Sequence, residues 1–334
     1  MVERGGVTSS TGRGPGQTVY ELPKYARKPR QRLGVGVLSV LATGLAAVGF
    51  AGFVSISAIL DEADGQADPG GAGGVRPAGA GTGEPGTAES DAAEAVRTEG
   101  DVLGDNPLYH SGEMARVDCP APRLDAYDNA SMEAFLHKVT DCLDDGWSEQ
   151  FGDSGMGFEA PNRIYWYASG QSPCGRYPVE GTAAFYCRAN KGLYLGVDDI
   201  VANSADSGES ETYTFLLSHE YAHHVQGEAG ILDYYHAARG SADDAEQRDA
   251  WTRRSELQAN CLGGAFVGSI ADSFPIGGDE HANILEDAER RSDYDAEQRT
   301  HGSPANGRLW TDHGMDRRDP AACNTWQARE DLVE

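Results

Sequence analysis

His219-Glu220-Tyr221-Ala222-His223 stands in a segment, Thr214 to Gln226, whose other residues are those of a half-buried helix. Residues four apart on a helix share a face, so both imidazoles can reach one ion. Two such ligands suit a tetrahedral Zn²⁺, and a third protein ligand leaves one position open to water. Glu220 follows His219 directly and falls near that open position. There it can take a proton from an attacking water and return it to a leaving amine. Without a metal, a half-buried His-Glu-His cluster would need other partners for its charges and ring nitrogens. The expected chemistry is hydrolysis of a peptide bond with one zinc ion.

The third ligand must come from another element. In Ser255-Glu-Leu-Gln-Ala-Asn-Cys261, Glu256 is followed by the apolar positions Leu257, Leu262, Ala265 and Phe266, as on a helix that packs into a core. A carboxylate there is costly unless paired or metal-bound. The competing reading pairs Glu256 with Arg253 or Arg254 at the surface. A tetrahedral intermediate also wants a donor opposite the metal. His301, in Thr300-His-Gly-Ser303, is the first candidate, weighed against a structural histidine in a Gly-rich turn, and Tyr186 is the second. His224 falls off the ligand face, and His110, His137, His236, His281 and His313 read as surface or cap residues.

These residues need a scaffold, and the composition divides the chain before it reaches them. Residues 1–32 carry seven basic side chains against Glu3 and Glu21; residues 33–60 carry no charge at all. That apolar run is long enough to span a bilayer as a helix, and the basic side marks the cytoplasmic end. A cleaved signal peptide is the alternative, but 32 residues make a long leader. Residues 61–106 are Ala, Gly, Pro, Thr and acid, a linker that cannot bury enough surface to offset its ordering entropy. From 107 to 334 the composition is globular and ample for one domain. The expectation is a single-pass membrane protein with its C-terminal domain outside the cytoplasm. The net charge of −26 makes nucleic acid a poor partner. The substrate would be a peptide or protein.

Within 107–334, helical spacing of Phe135, Val139, Cys142, Leu143 and Trp147 predicts a helix over 129–151. Strands are expected at 163–167, 184–187 and 192–195, and the exit from the His219 helix over 227–232. Ser241 to Asp244 reads as the start of a long helix through Trp251 to Ile270. A last helix near 281–291 precedes a tail that reads as irregular, with Gly302, Gly307, Gly314 and Pro320. The class is α+β. All six cysteines lie between 119 and 323, which points to disulfides in an oxidising compartment. Six cysteines allow fifteen pairings. Cys119 with Cys142 and Cys174 with Cys187 are the local choices, leaving Cys261 with Cys323. Zinc binding by the thiols is the alternative, with no C-x-x-C pair to support it.

The blocks Cys174-Gly175, Phe185-Tyr-Cys187 before Leu193-Tyr-Leu195, His219 to Gln226, Glu256 to Cys261, Thr300 to Ser303, Asp319-Pro320 and Cys323-Asn-Thr325 occur in this order. Together they resemble the bacterial membrane-anchored neutral zinc metallopeptidases, a zincin family with a basic tail, one span and a linker. The resemblance implies a zincin-like domain with an active-site helix and a small sheet. It also implies His219, His223 and Glu256 as zinc ligands, Glu220 as base, and an edge strand that holds the substrate backbone. Three positions depart from the family pattern: Ala222 for Gly, Gly196 for Asp and Asn260 for Asp. The Asp would accept the ring N–H of a ligand histidine. Asn can still accept it but brings no charge, which weakens the imidazole as a donor to zinc. Two other readings therefore remain: a zinc-holding scaffold without turnover, and a zinc hydrolase of a non-peptide amide such as a cell-wall cross-link. Intact Glu220 argues against the first.

Overall fold

A computed structural model describes residues 98–178, 182–205, 207–295 and 299–334. The basic tail, the apolar span at 33–60 and the linker up to residue 97 lie outside the described residues. Among the described residues no helix is long and apolar enough to cross a membrane. Residues 98–106, expected to end the linker, are instead ordered. They form a short π-helical turn, Gly100–Gly104, with Val102 and Leu103 buried. Asn106 then anchors the segment by donating to the Val102 and Ala229 carbonyls. Two large apolar side chains in a run of small and acidic residues are enough to reverse the compositional reading.

The first long helix, α1 (Asn129–Asp153), starts where the Asp128 side chain accepts the Ser131 N–H. Its apolar stripe buries Phe135, Val139, Leu143 and Trp147, as the spacing predicts. A three-stranded sheet follows, with β1 (Asn162–Trp166) beside β5 (Gly192–Gly196) beside β4 (Ala184–Cys187). β1 runs parallel to β5 and β4 antiparallel to it, so β4 forms one edge. The small hairpin β2 (Gly170–Ser172) and β3 (Gly175–Tyr177) lies between β1 and β4 in sequence. All three disulfides pair as the spacing suggests, 119 with 142, 174 with 187 and 261 with 323. The second of them fastens the hairpin region to β4.

After the short α2 (Asp199–Asn203), the remaining helices carry the candidate site: α3 (Ser210–Glu228), α4 (Ile231–Gly240), α5 (Ala245–Ile270), α6 (Gly278–Arg290) and α7 (Pro304–Arg317). Three of these differ from expectation. The exit from α3 is only a turn at Gly230, whose φ of 76° suits glycine, before α4 begins at Ile231. The cap of α5 is Asp244, accepting from Gln247 N, so the helix begins at the end of the Ser241 to Asp244 box rather than at its start. The tail read as irregular contains α7, a full helix capped by Ser303 with Pro304 in its first turn.

Glycine misdirects the reading of α7 because its purpose there is contact. A Cβ on Gly314 would run into the Cys261 carbonyl, and one on Gly264 would run into the Thr311 carbonyl. α5 and α7 therefore touch backbone to backbone. The other side of α5 does the same against α3, where a Cβ on Gly263 would lie 3.0 Å from the His219 nitrogen. α5 is thus wedged tightly between the His219 helix and the C-terminal helix. Replacing Gly314 by Ala should cost about 1–3 kcal/mol of unfolding free energy. Gly240→Ala, where a Cβ meets nothing within 4 Å, should be neutral or slightly stabilising. Equal denaturation midpoints for the two variants would contradict this packing.

Candidate metal centre

The close approach of α3 and α5 sets the site. His219 and His223, one turn apart on α3, present their rings nearly perpendicular, with centroids 5.0 Å apart and planes at 89°. Glu256 on α5 meets both: its Oε2 lies 3.2 Å from His219 Nε2 and 3.4 Å from His223 Nε2. One ligand atom from each of the three residues falls within 4.8 Å of the others. All three are buried, at 8%, 6% and 5% exposure. Arg253 and Arg254, the rival partners of Glu256, turn elsewhere. Arg253 donates to the Val333 and Arg299 carbonyls, and Arg254 to the Thr325 carbonyl and Glu330.

Seven buried side-chain polar atoms among the described residues lack a hydrogen bond, and two of them, His223 Nε2 and Glu256 Oε2, belong to this converging group. A third, Glu220 Oε2, belongs to the residue after His219, whose charge acts on His223. Buried polar atoms without partners are rare and costly, so their gathering on these neighbouring residues calls for a ligand. Two imidazole nitrogens and a carboxylate oxygen form a donor set suited to zinc. The site fits the ion on chemistry as well as on convergence. Without an ion the three groups lean on each other. Burial opposes a charged Glu256, yet His223 and His219 hold its carboxyl well below the usual carboxylate range. Burial likewise opposes a charged His223, and the Glu256 carboxylate outweighs it, raising the imidazole to about 9.

Behind the ligands stand two amides. Asn260 Oδ1 lies 2.9 Å from His219 Nδ1, the bond expected of it. Gln226 Oε1 lies 2.9 Å from His223 Nδ1, a partner the sequence reading quoted but gave no role. It sits three residues after His223, on the same helix face, and that spacing was the available signal.

His301 reaches the neighbourhood through its loop: a Cβ on Gly302 would lie 3.0 Å from the side chain of Leu257, the residue after Glu256. Asp293 holds this loop, accepting from the backbone N–H groups of Thr300 and His301 at 2.5 Å each and lying 3.4 Å from His301 Nδ1. Burial works against a charged His301, but Asp293 and then Glu256 raise its pKa overall. Nothing in the sequence singled out Asp293. Arg291, also unanticipated, is half-buried and clamped by Asp287 at 2.6 Å and Ser204 at 3.1 Å. Burial lowers its pKa to about 10, with the Glu220 carboxylate the main opposing influence.

Tyr186, the second candidate for oxyanion donor, is committed elsewhere. His224 Nε2 lies 2.7 Å from the Glu159 carbonyl, which only accepts, so the His224 hydrogen sits on Nε2. Burial keeps that ring neutral by lowering its pKa. Its Nδ1 must then accept, and the hydroxyl 3.2 Å away belongs to Tyr186. The single hydroxyl hydrogen of Tyr186 is spent on His224. His236, expected at the surface, is buried and lines a pocket with Tyr186, Arg188, Leu232, Tyr235, His223 and Glu256. Burial, then Arg188 and Arg239, push its pKa down to about 3, so at neutral pH it presents an uncharged ring.

The family profile described as "Putative neutral zinc metallopeptidase" matches residues 59–326, most of the chain. The chain belongs to this family. Similar curated proteins include uncharacterized protein YpfJ of Escherichia coli K12, 26% identical over 206 residues, covering 58% of this chain and 70% of that protein. Uncharacterized protein Rv2575 of Mycobacterium tuberculosis is 26% identical over 258 residues, covering 69% of this chain and 83% of that protein. No solved structure matches. The family's description is of a zinc peptidase, and His219, His223 and Glu256 form a donor set that suits that metal. Asn260→Asp should tighten zinc binding by about tenfold or more, since a carboxylate strengthens the imidazole it backs. Competition against a chromophoric chelator reads this, and an unchanged or weaker affinity would count against it.

Proposed function

We propose that this chain is a membrane-anchored zinc peptidase, with His219, His223 and Glu256 holding one zinc ion and Glu220 as general base. The observation that carries the reading is the convergence of His219, His223 and Glu256, with Glu220, whose buried Oε2 has no hydrogen bond, next to His219 in the chain. A structural site would have no use for such a base. A zinc ion bound there would polarise the scissile carbonyl and favour ionisation of the attacking water. Glu220 takes the proton of that water and delivers it to the leaving amine. His301, whose pKa Asp293 raises against the effect of burial, donates to the oxygen that gains charge. Arg291 adds positive charge on the Glu220 side.

The substrate backbone lies along β4, the edge strand that carries Tyr186 to the pocket beside Glu256. That pocket is small, and Tyr186, Leu232, Tyr235 and the neutral His236 give it an apolar wall beside Glu256. The apolar span at 33–60 serves as the anchor, with the basic tail in the cytoplasm and the disulfide-bonded domain outside. Asn260 in place of a carboxylate favours a weaker zinc site than a charged acceptor would give.

The test uses the full-length protein in detergent, with bound zinc and peptide-library cleavage measured together. Wild type and Glu220→Gln should each hold one zinc, and Glu220→Gln should lose about 10²–10⁴-fold in rate. If both hold zinc and neither cleaves, the scaffold or the non-peptide amide replaces the peptidase. His301→Ala should lower kcat by about 10²–10³-fold with zinc retained. Tyr186→Phe should keep kcat within a small factor while losing about 1 kcal/mol of stability. A Tyr186→Phe enzyme as damaged as His301→Ala would reverse the two assignments.

A further inference from the structure

The two ligand histidines are each backed by an amide, but the amides are not held alike. The ends of an amide are told apart only by what they touch. One end of Gln226 lies 2.9 Å from the Ser255 carbonyl, which can only accept. That end is therefore the NH₂, and its second hydrogen goes to Gln258 Oε1 at 3.0 Å. Gln258 is fixed independently. Trp326 Nε1, which can only donate, lies 3.1 Å from Gln258 Oε1. The Cys323 carbonyl, which can only accept, lies 3.2 Å from Gln258 Nε2, and the Tyr109 hydroxyl takes the other hydrogen at 2.8 Å. Reversing either amide would set acceptor against acceptor and donor against donor in a fully buried region.

The oxygen of Gln226 must therefore be the end facing His223 Nδ1 at 2.9 Å. An oxygen there requires a ring hydrogen on Nδ1, so Nε2, 3.4 Å from Glu256 Oε2, is the nitrogen that can offer a lone pair to a metal. We propose that Gln226, held by Gln258, is the positioning residue that fixes His223 in its ligating tautomer. Through Gln258 the same chain of amides ties the ligand to the C-terminal segment, which the Cys261–Cys323 disulfide fastens to α5. Asn260 makes the contrast. Its bond to His219 is the one hydrogen bond of its side chain among the described residues, so nothing fixes which end of that amide faces the ring. Preorganisation of the zinc site thus resides in the His223 arm.

The inference rests on the zinc reading, and its test reads metal affinity. In the full-length protein, zinc is titrated against a chromophoric chelator for wild type, Gln226→Met and Gln226→Glu. Both variants lose the NH₂ that reaches Ser255 and Gln258, but only Glu keeps an oxygen for His223. Gln226→Met should bind zinc about 10–100-fold more weakly, and Gln226→Glu, which keeps the oxygen for His223 but loses its hold, should lose clearly less. Equal losses in both would make Gln226 a packing residue and overturn the proposal, as would no loss in Gln226→Met. Should either variant fail to fold by circular dichroism, Gln258→Met reads the same chain. A smaller loss in the same direction is expected there, and an unchanged affinity overturns the proposal. A wild type that holds no zinc would show before any substitution that the metal reading itself has failed, and this inference falls with it.

Discussion

A buried carboxylate set against two buried imidazoles is the constraint on which the rest of the structure depends. Glu256 Oε2 stands 3.2 and 3.4 Å from the two ring nitrogens with no conventional hydrogen bond to satisfy it. Such a cluster is tolerable only if the helices that carry it are held rigidly and a cation completes it. The helices are held by backbone contact. Gly263 lets α5 approach α3 at His219, and Gly264 and Gly314 let α7 approach α5 from behind. The disulfide from Cys261 to Cys323 then closes the C-terminal segment onto the same stretch of α5. Every ligand is thus carried on a long helix, and the long helices are pressed together from both sides.

Two basic side chains belong to the electrostatic surroundings of the site. The Glu220 charge acts on Arg291, itself clamped by Asp287 and Ser204. Asp293 and the Glu256 charge raise the His301 pKa against burial. In the proposed reaction such groups would supply positive charge where negative charge grows. The neutral rings of His224 and His236 belong to the walls instead. His224 ties α3 to the Glu159 carbonyl, and His236 lines the pocket beside Glu256.

How much of this was legible in the sequence follows the range of each interaction. The His219 helix was legible because four-residue spacing is a local signal, and Glu256 because a lone carboxylate amid apolar helical positions needs an explanation. α1 and the three sheet strands were equally local, and their bounds moved by only a residue or two. The helix α7 was not, since its glycines read as breakers until the partner carbonyls of Cys261 are known. α4 was hidden because the break before it is confined to the left-handed Gly230. Asp293 and Arg291 gave no signal, because their roles depend on a loop returning to α5. The order of Thr98 to Asn106 depended on just two apolar side chains finding a core supplied by the rest of the domain.

X-ray absorption at the zinc edge of the full-length protein reads the metal's neighbours. One zinc per chain is expected, with two imidazole nitrogens and carboxylate or water oxygen at about 2.0–2.2 Å and no sulfur neighbour. Zinc with sulfur at about 2.3 Å would assign the metal to the cysteines. A spectrum with a single imidazole, or a purified chain without zinc, would equally contradict a site built from His219, His223 and Glu256.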